Sequence, residues 1–515
     1  MEETVIGILP FIPLIGSFIT PIIGYISKND KRLIQCIAIA ISLIPLILSI
    51  YLIHITYSVD HILVYRFGGW SPPIGIVYMV DRASALLVLV TTLVMFLVAI
   101  YSYRYLEHYG GYTWYYTLYL GLEAGLLGVL LTGDVFNMFV MIEVVSVASY
   151  SLVMFYRHRG DSITAGLKYA IIGSLGTTIY FLALGIIYAM FGTVNLFDLV
   201  CKIHGEPYPV TGMPWGDIVL ATAIAMVLVS WTFMIKAGVF PNHFWLPDAH
   251  PAAPTPISAI LSGLVVNVGA YAMFRYMYTI YGKPLPGELE FVINIISALL
   301  LLAGAISAII GSLLMHIQRD IKRIIAYSTV VHMGYLFMAI ALRTNLGASA
   351  FTLHIVNHSI GKATLFLAAG IFIYCIGSRY IDRIGGLARD YPVATIALVT
   401  AGLNLAGIPP LPIFYSKLLL FYALFEYHPI YALILVVTSA IALIAYLRIL
   451  YVTLFGRKVV SKTAKAPNSM RTVLVIFVIL IIVMGVYSSY IIENYINPAI
   501  GQLVSIDNYM VRLGL

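Results

Sequence analysis

Eight polar side chains stand where a hydrocarbon interior should exclude them. Glu123, Glu143, Lys236, His332, His354, His358, Lys362 and Lys417 all fall within long apolar runs. A charge at the bilayer centre costs about 2.5–3.5 kcal/mol on insertion scales, so such groups are paired, hydrated or neutral, and by default they mark an ion path. Carboxyl, amine and imidazole groups take up and release protons. The chemistry available to this set is the loading, relay and release of a proton or cation.

Spacing sharpens the reading. Glu143 lies about 14 Å from the start of its run at the helical rise, close to the bilayer middle. His354, His358 and Lys362 are four residues apart and share one helix face, with His332 near the middle of the run before; such a stripe reads as a hydrated polar path. Glu123 reads equally as a packed neutral acid or as part of a path. Lys168, in a first turn, can snorkel to the membrane face.

Lys236 precedes Ala-Gly-Val-Phe-Pro241, and five prolines fall from Pro241 to Pro256, a poor recipe for a continuous helix. A straight run from Trp215 places Lys236 at the membrane face; a run broken at Gly238 places it inside. The run 391–425 is about 52 Å long as a helix, far beyond the hydrocarbon thickness, so it must break or bend. Asn404-Leu-Ala-Gly-Ile-Pro-Pro-Leu-Pro412 marks the place, and Lys417 follows it.

These residues must be held by membrane helices. The 515 residues are 61% hydrophobic and 10% charged, with a mean hydropathy of +0.97, which excludes an ordinary soluble domain. About fourteen runs are long enough to span a bilayer. The first is flanked by Glu2 and Glu3 with no cleavage site, and reads as a mature span. The first two runs hold no mid-membrane charge and read as scaffold, and Asp81-Arg82 reads as an interfacial anchor. The expected fold is an all-α polytopic membrane protein of about 14 transmembrane helices with two inverted five-helix repeats, each containing a broken helix. The divisions are 1–111 (N-terminal scaffold), 112–281 and 282–455 (the repeats) and 456–515 (a loop and the last span).

Of 29 basic residues, 17 fall in loops after odd-numbered runs and 5 in the opposite loops and tail. The positive-inside rule then puts the first set, Lys322, Lys462 and Arg471 among them, in the cytoplasm, and both termini, with Arg512, outside a plasma membrane. The net charge of +7 mostly reflects that bias and calls for no nucleic acid. Cys36, Cys201 and Cys375 are scattered and odd in number, and no nucleotide, metal or flavin motif is present, so no cofactor and no redox chemistry is expected in the chain itself.

The stretches Leu131-Thr-Gly-Asp134 through Glu143, Gly166 to Gly176, Lys236 through His250, Asp320 to Thr329 and Asn357-His-Ser-Ile-Gly-Lys362 resemble the antiporter-like subunits shared by multi-subunit sodium/proton antiporters, membrane-bound hydrogenases and respiratory complex I. The resemblance runs from the third apolar run to the thirteenth. It implies a buried Lys236 paired with Glu143, a central hydrated axis, and a terminal carrier at Lys417, with His332, His354, His358 and Lys362 between. It implies translocation of H+ or Na+ with other membrane subunits as partners, within a hydrogenase, another oxidoreductase or an antiporter assembly. One position departs: Asn267 stands where many members carry lysine or histidine. A structural or sodium-path subunit that has lost the central proton link, and an independent cation/proton antiporter, are the alternatives.

Overall fold

Backbone groups in hydrocarbon must be hydrogen-bonded within their own segment, and the chain meets that demand with helices almost throughout. The computed structural model describes residues 2–205, 211–460, 464–505 and 507–510. Met1, Lys462 and Arg512, the last two of which enter the loop-charge reading, lie outside them.

The order is α1 (Glu2–Ile26), α2 (Lys31–Ser58), β1 (Leu63–Arg66), β2 (Val77–Val80), α3 (Arg82–Tyr105), α4 (Tyr112–Leu131), α5 (Val135–Val153), α6 (Gly160–Phe191), α7 (Leu196–Ile203) and α8 (Ile218–Ala237). Then come α9 (Leu246–Ala252), α10 (Thr255–Ile260), α11 (Val266–Arg275), α12 (Gly287–Ile317), α13 (Ile321–Leu342), α14 (Asn345–Ile376) and α15 (Ile381–Ile384). The remainder is α16 (Pro392–Ala406), α17 (Pro412–Tyr427), α18 (Pro429–Phe455), α19 (Asn468–Val486), α20 (Ser488–Ile491), α21 (Asn497–Val504) and α22 (Asp507–Met510).

Among the described residues, thirteen helices are long and apolar enough to cross a membrane. Two shorter helices, α16 and α17, of 15 and 16 residues, follow one another around a break. The run from α10 into α11 passes through π-helical turns at Leu261–Val265 and Tyr276–Ile280 and is buried along its whole length.

Start signals are aspartates. Asp30, Asp81, Asp134, Asp217 and Asp320 each accept backbone N–H groups at a helix N-terminus, satisfying donors that have no partner within the helix. Asp134 also bridges to Asn195, just after α6, and Asp320 to Tyr380, just after α14. The same device therefore recurs at the starts of α5 and α13.

The antiparallel hairpin β1–β2, registered from Leu63↔Val80 to Arg66↔Val77, adds to the all-α expectation. A four-residue apolar segment such as Val77–Val80 cannot be told from helix by periodicity. The hairpin docks on the start of α5, where the Gly133 N–H donates to the Val77 carbonyl at 2.9 Å. It marks one face of the bundle, the hairpin face. The opposite, arginine-rich face carries Arg159, Arg319, Arg323 and Arg379 around one concavity.

Candidate functional site

Two helices stop inside the bundle. α8 ends where Gly238 takes a left-handed conformation (φ 66°) and α16 where Gly407 does the same (φ 86°), a backbone that glycine adopts without penalty. Lys236 is the second-last residue of α8 and Lys417 the sixth of α17. Both are buried. The broken-helix reading of Lys236 therefore holds, and so does the break demanded by the length of run 391–425.

Each lysine has its own cage. The Lys236 ammonium donates to the Ser146 hydroxyl at 2.8 Å and to Tyr150 at 3.4 Å. Ser146 lies about 17 Å along α5 at the helical rise, at mid-membrane depth. Lys417 donates to the carbonyls of Leu405 and Ala406 at 3.1 and 2.9 Å, the open C-terminal end of α16, where carbonyl dipoles favour a cation. It also lies over the Tyr335 ring at 5.4 Å.

Glu143, Ser146 and Tyr150 share a face of α5 by their spacing. No ion pair within 4 Å joins Glu143 to Lys236, unlike the direct pair the resemblance implies. Ser146, one turn along, takes the ammonium instead, and Glu143 Oε1 has no hydrogen-bond partner among the described residues. Glu143 lines an apolar groove of about 470 Å³ between α1, α4 and α5, with Ser17, Thr117 and Gly121.

The polar chain between the two breaks runs through α11, α13 and α14. Gly269 of α11 lies so close to the end of α8 that an added Cβ would stand 2.7 Å from the Ala237 nitrogen and the Phe233 carbonyl oxygen. Two residues earlier, Asn267 donates to the Ser359 hydroxyl of α14 at 2.9 Å and to the Gly263 carbonyl at 2.5 Å. Ser359 adjoins His358, whose ring is centred 5.2 Å from that of His332. His332 Nδ1 and His354 Nε2 are hydrogen-bonded at 3.0 Å, and His354 Nδ1 reaches the Ser416 hydroxyl at 2.9 Å, next to Lys417. Lys362 donates to the Ile325 carbonyl at 3.1 Å and to the Ser328 hydroxyl. Neither ring nitrogen of His358 has a hydrogen-bond partner among the described residues.

Glu123 is not part of this chain. Its carboxyl accepts from Ser42 of α2 at 3.1 Å, among the scaffold helices. There α2 turns a buried stripe of Gln35, Ser42, Ser49 and Thr56 inward, seven residues apart, so α2 is less inert than its lack of charge implies.

Sequence reasoning missed several polar residues. Asp81 is not an interfacial anchor: it is fully buried and paired with Arg275 at 2.5 Å. Burial pushes its carboxyl up, but the Arg275 guanidinium, the Ser84 N–H and the Tyr509 hydroxyl outweigh that and hold it below the usual carboxylate range. Lys322, counted with the loop charges, is buried and donates to the Ala253 carbonyl at 2.6 Å. His250 of α9 is buried against the Phe366 ring at 4.9 Å, and its ring nitrogens have no hydrogen-bond partner among the described residues. Above α9 opens the arginine-rich concavity of about 490 Å³. There Asp248 holds Lys168 and Arg323, each at 2.6 Å, so Lys168 does reach a membrane face.

Comparison with known proteins follows the same helices. Residues 132–442 match the family model described as NADH:quinone oxidoreductase/Mrp antiporter, TM, and residues 70–116 match that of NADH-Ubiquinone oxidoreductase (complex I), chain 5 N-terminus. The chain is 30% identical to NADH-quinone oxidoreductase subunit N of Desulforudis audaxviator, over 85% of this chain and 87% of the relative. It is 29% identical to a Na(+)/H(+) antiporter subunit of Bacillus subtilis, over 98% of each. Among solved structures it is similar to a chain of the membrane-bound sulfane sulfur reductase, an archaeal respiratory membrane complex, with a TM-score of 0.89, 28% identity and 99% of both chains covered. A chain of the Mrp complex from Dietzia sp. shares the fold with a TM-score of 0.86 at 23% identity, again over 99% of both chains.

Proposed function

Because this chain belongs to the NADH:quinone oxidoreductase/Mrp antiporter transmembrane family, we propose that it moves protons or sodium ions across the membrane along the axis from Lys236 to Lys417. It is an antiporter-like subunit of a multi-subunit membrane complex. The observation that carries the reading is a pair of buried lysines, each beside a broken helix, with a chain of buried polar side chains between them.

Lys236 is the loading site. Glu143, a turn from Ser146, acts on it through the low-dielectric interior, so its approach or withdrawal changes how readily the amine holds its proton. Asn267 carries no titratable proton, and transfer past it runs through oriented water. Ser359, His358, His332, His354 and Ser416 then lead to Lys417, with Lys362 alongside as a fixed or mobile charge. Glu123 of α4 stands apart, packed against the scaffold helix α2.

The helices divide as 1–111, 112–281, 282–455 and 456–515, the middle two being inverted repeats. The aspartate bridges at Asp134 and Asp320 support that division. The arginine-rich face is cytoplasmic in a plasma membrane, and residues at both ends of the sequence lie outside. Coupled transport by the intact complex in inside-out vesicles tests the reading. Lys236→Ala is expected to lower it at least about tenfold with assembly unchanged; undiminished transport overturns the scheme.

A further inference from the structure

A second arm leaves this axis at Asn267. Asn267, Tyr271 and Arg275 recur every four residues and so share one face of α11, flanked by the two π-helical turns. Asn267 Oδ1 is buried with no hydrogen-bond partner among the described residues. It borders a cavity of about 20 Å³, shared with Thr91, Tyr271 and Ser359, which is room for about one water.

From Tyr271 the contacts are continuous. Arg275 Nε donates to the Tyr271 hydroxyl at 2.9 Å, and Arg275 Nη1 to Asp81 Oδ2 at 2.5 Å. The Tyr509 hydroxyl donates to the same carboxylate oxygen at 3.1 Å and accepts from Arg275 Nη1 at 3.3 Å. Asp81 caps α3 at the hairpin face, and Tyr509 belongs to α22, which packs beside α7 through a Tyr509–Phe197 ring contact. Arg275, Asp81 and Tyr509 are each at most 1% exposed.

We propose that Asp81, Arg275 and Tyr509 form an electrostatic seal closing a branch of the polar axis that runs from Asn267 along α11 to the hairpin face. A fixed guanidinium in a narrow, water-poor passage repels protons and metal cations. Asp81 compensates that charge, which makes it tolerable in the interior. Tyr509 latches the pair from a separate helix, so movement of α22 loosens the seal without disturbing the transmembrane helices. The seal lets the axis exchange ions at chosen moments while blocking passive leak, and it accounts for an arginine buried beside a path for cations.

The inference rests on the axis proposed above, and its test separates the two. The intact complex is reconstituted in liposomes with a trapped pH indicator, and passive proton influx under an imposed potential is followed without driving substrate. Arg275→Gln is expected to raise the leak about tenfold or more, the scale set by losing one charge-assisted contact. Adding Asn267→Leu, which severs the branch, returns the leak to the wild-type level; a leak from general loosening of the bundle persists. Tyr509→Phe, a change of one hydroxyl, raises the leak by a smaller factor and decides the matter if Arg275→Gln fails to assemble. Tight liposomes with Tyr509→Phe, or an Arg275→Gln leak that Asn267→Leu does not suppress, overturn the seal. Undiminished coupled transport in Lys236→Ala overturns the axis instead.

Discussion

The two helix breaks solve one problem in different ways. At the first, the Ile235 carbonyl is taken by the Trp245 indole at 3.0 Å, and Lys236 turns to hydroxyls of another helix. At the second, the carbonyl end of α16 is left for Lys417 itself. A permanent helix dipole therefore holds the second cation, while the first depends on side chains that can rotate. The aspartate caps give the two halves a common register: Ser146 lies twelve residues past Asp134 and His332 twelve past Asp320. In the first half that position touches the lysine directly. In the second it reaches the lysine's neighbourhood through His354 and Ser416. The first break is built to respond, the second to hold.

The caps themselves give the largest test of the comparison. Burial pushes the Asp134 carboxyl up to about 6, against the pull of the Asn137 and Phe136 N–H groups. An acid raised on folding costs nothing below its ordinary 3.8 and costs progressively more as pH rises through the raised value, reaching about 3 kcal/mol. Asparagine caps a helix as well as aspartate does. Asp134→Asn should therefore stabilise the solubilised complex at pH 7 and lose that advantage at pH 4, as read by thermal unfolding. Burial pushes the Asp320 carboxyl up as well, but Arg379, at 2.6 Å, and Lys322 pull against it, so Asp320→Asn should stabilise less at pH 7 than Asp134→Asn does. Equal responses at the two caps would contradict the distinction.

The glycines at the breaks come next. A Cβ at Gly407 would meet Lys417 Cδ at 2.9 Å and Nζ at 3.2 Å, whereas one at Gly238 meets only Leu246, at 3.3 Å. Both positions have positive φ, so alanine costs about 1 kcal/mol at either from backbone alone. Gly407→Ala should cost about 2 kcal/mol and displace Lys417, lowering transport; Gly238→Ala should cost about half that and spare it. Unfolding and vesicle transport measured together check both.

A smaller contrast concerns the hydroxyls. Ser146→Ala removes a direct partner of the Lys236 ammonium, and transport should fall about tenfold. Ser416→Ala removes a partner of His354 while the carbonyl partners of Lys417 remain, and the fall should be no more than about threefold. A larger loss from Ser416→Ala would move the responsive site to the second break.

Much of this was legible in the residues. The bundle of membrane-length helices, both breaks, and the stripe His354, His358 and Lys362 followed from run length, proline placement and spacing. Which groups pair did not. Asp81 sits beside Arg82 in sequence, and the local pair hid a partner 194 positions away. Nothing in Glu143 and Lys236 says that Ser146 will take the ammonium, since that depends on how α5 and α8 rotate about their axes. Glu123 was ambiguous because depth alone does not say which neighbour a buried acid faces, and here it faces Ser42. The hairpin was invisible because four apolar residues have no resolvable period.

The central claim is that Lys236 and Lys417 lie on one serial path. The most direct measurement is coupled ion flux through the intact complex in inside-out vesicles, for Lys236→Ala, Lys417→Ala and the double variant, with assembly verified for each. A serial path predicts that either single change brings flux to the same floor and that the double change goes no lower. Two single variants that each retain about half the flux, with the double variant losing the rest, would mean independent routes and contradict the account.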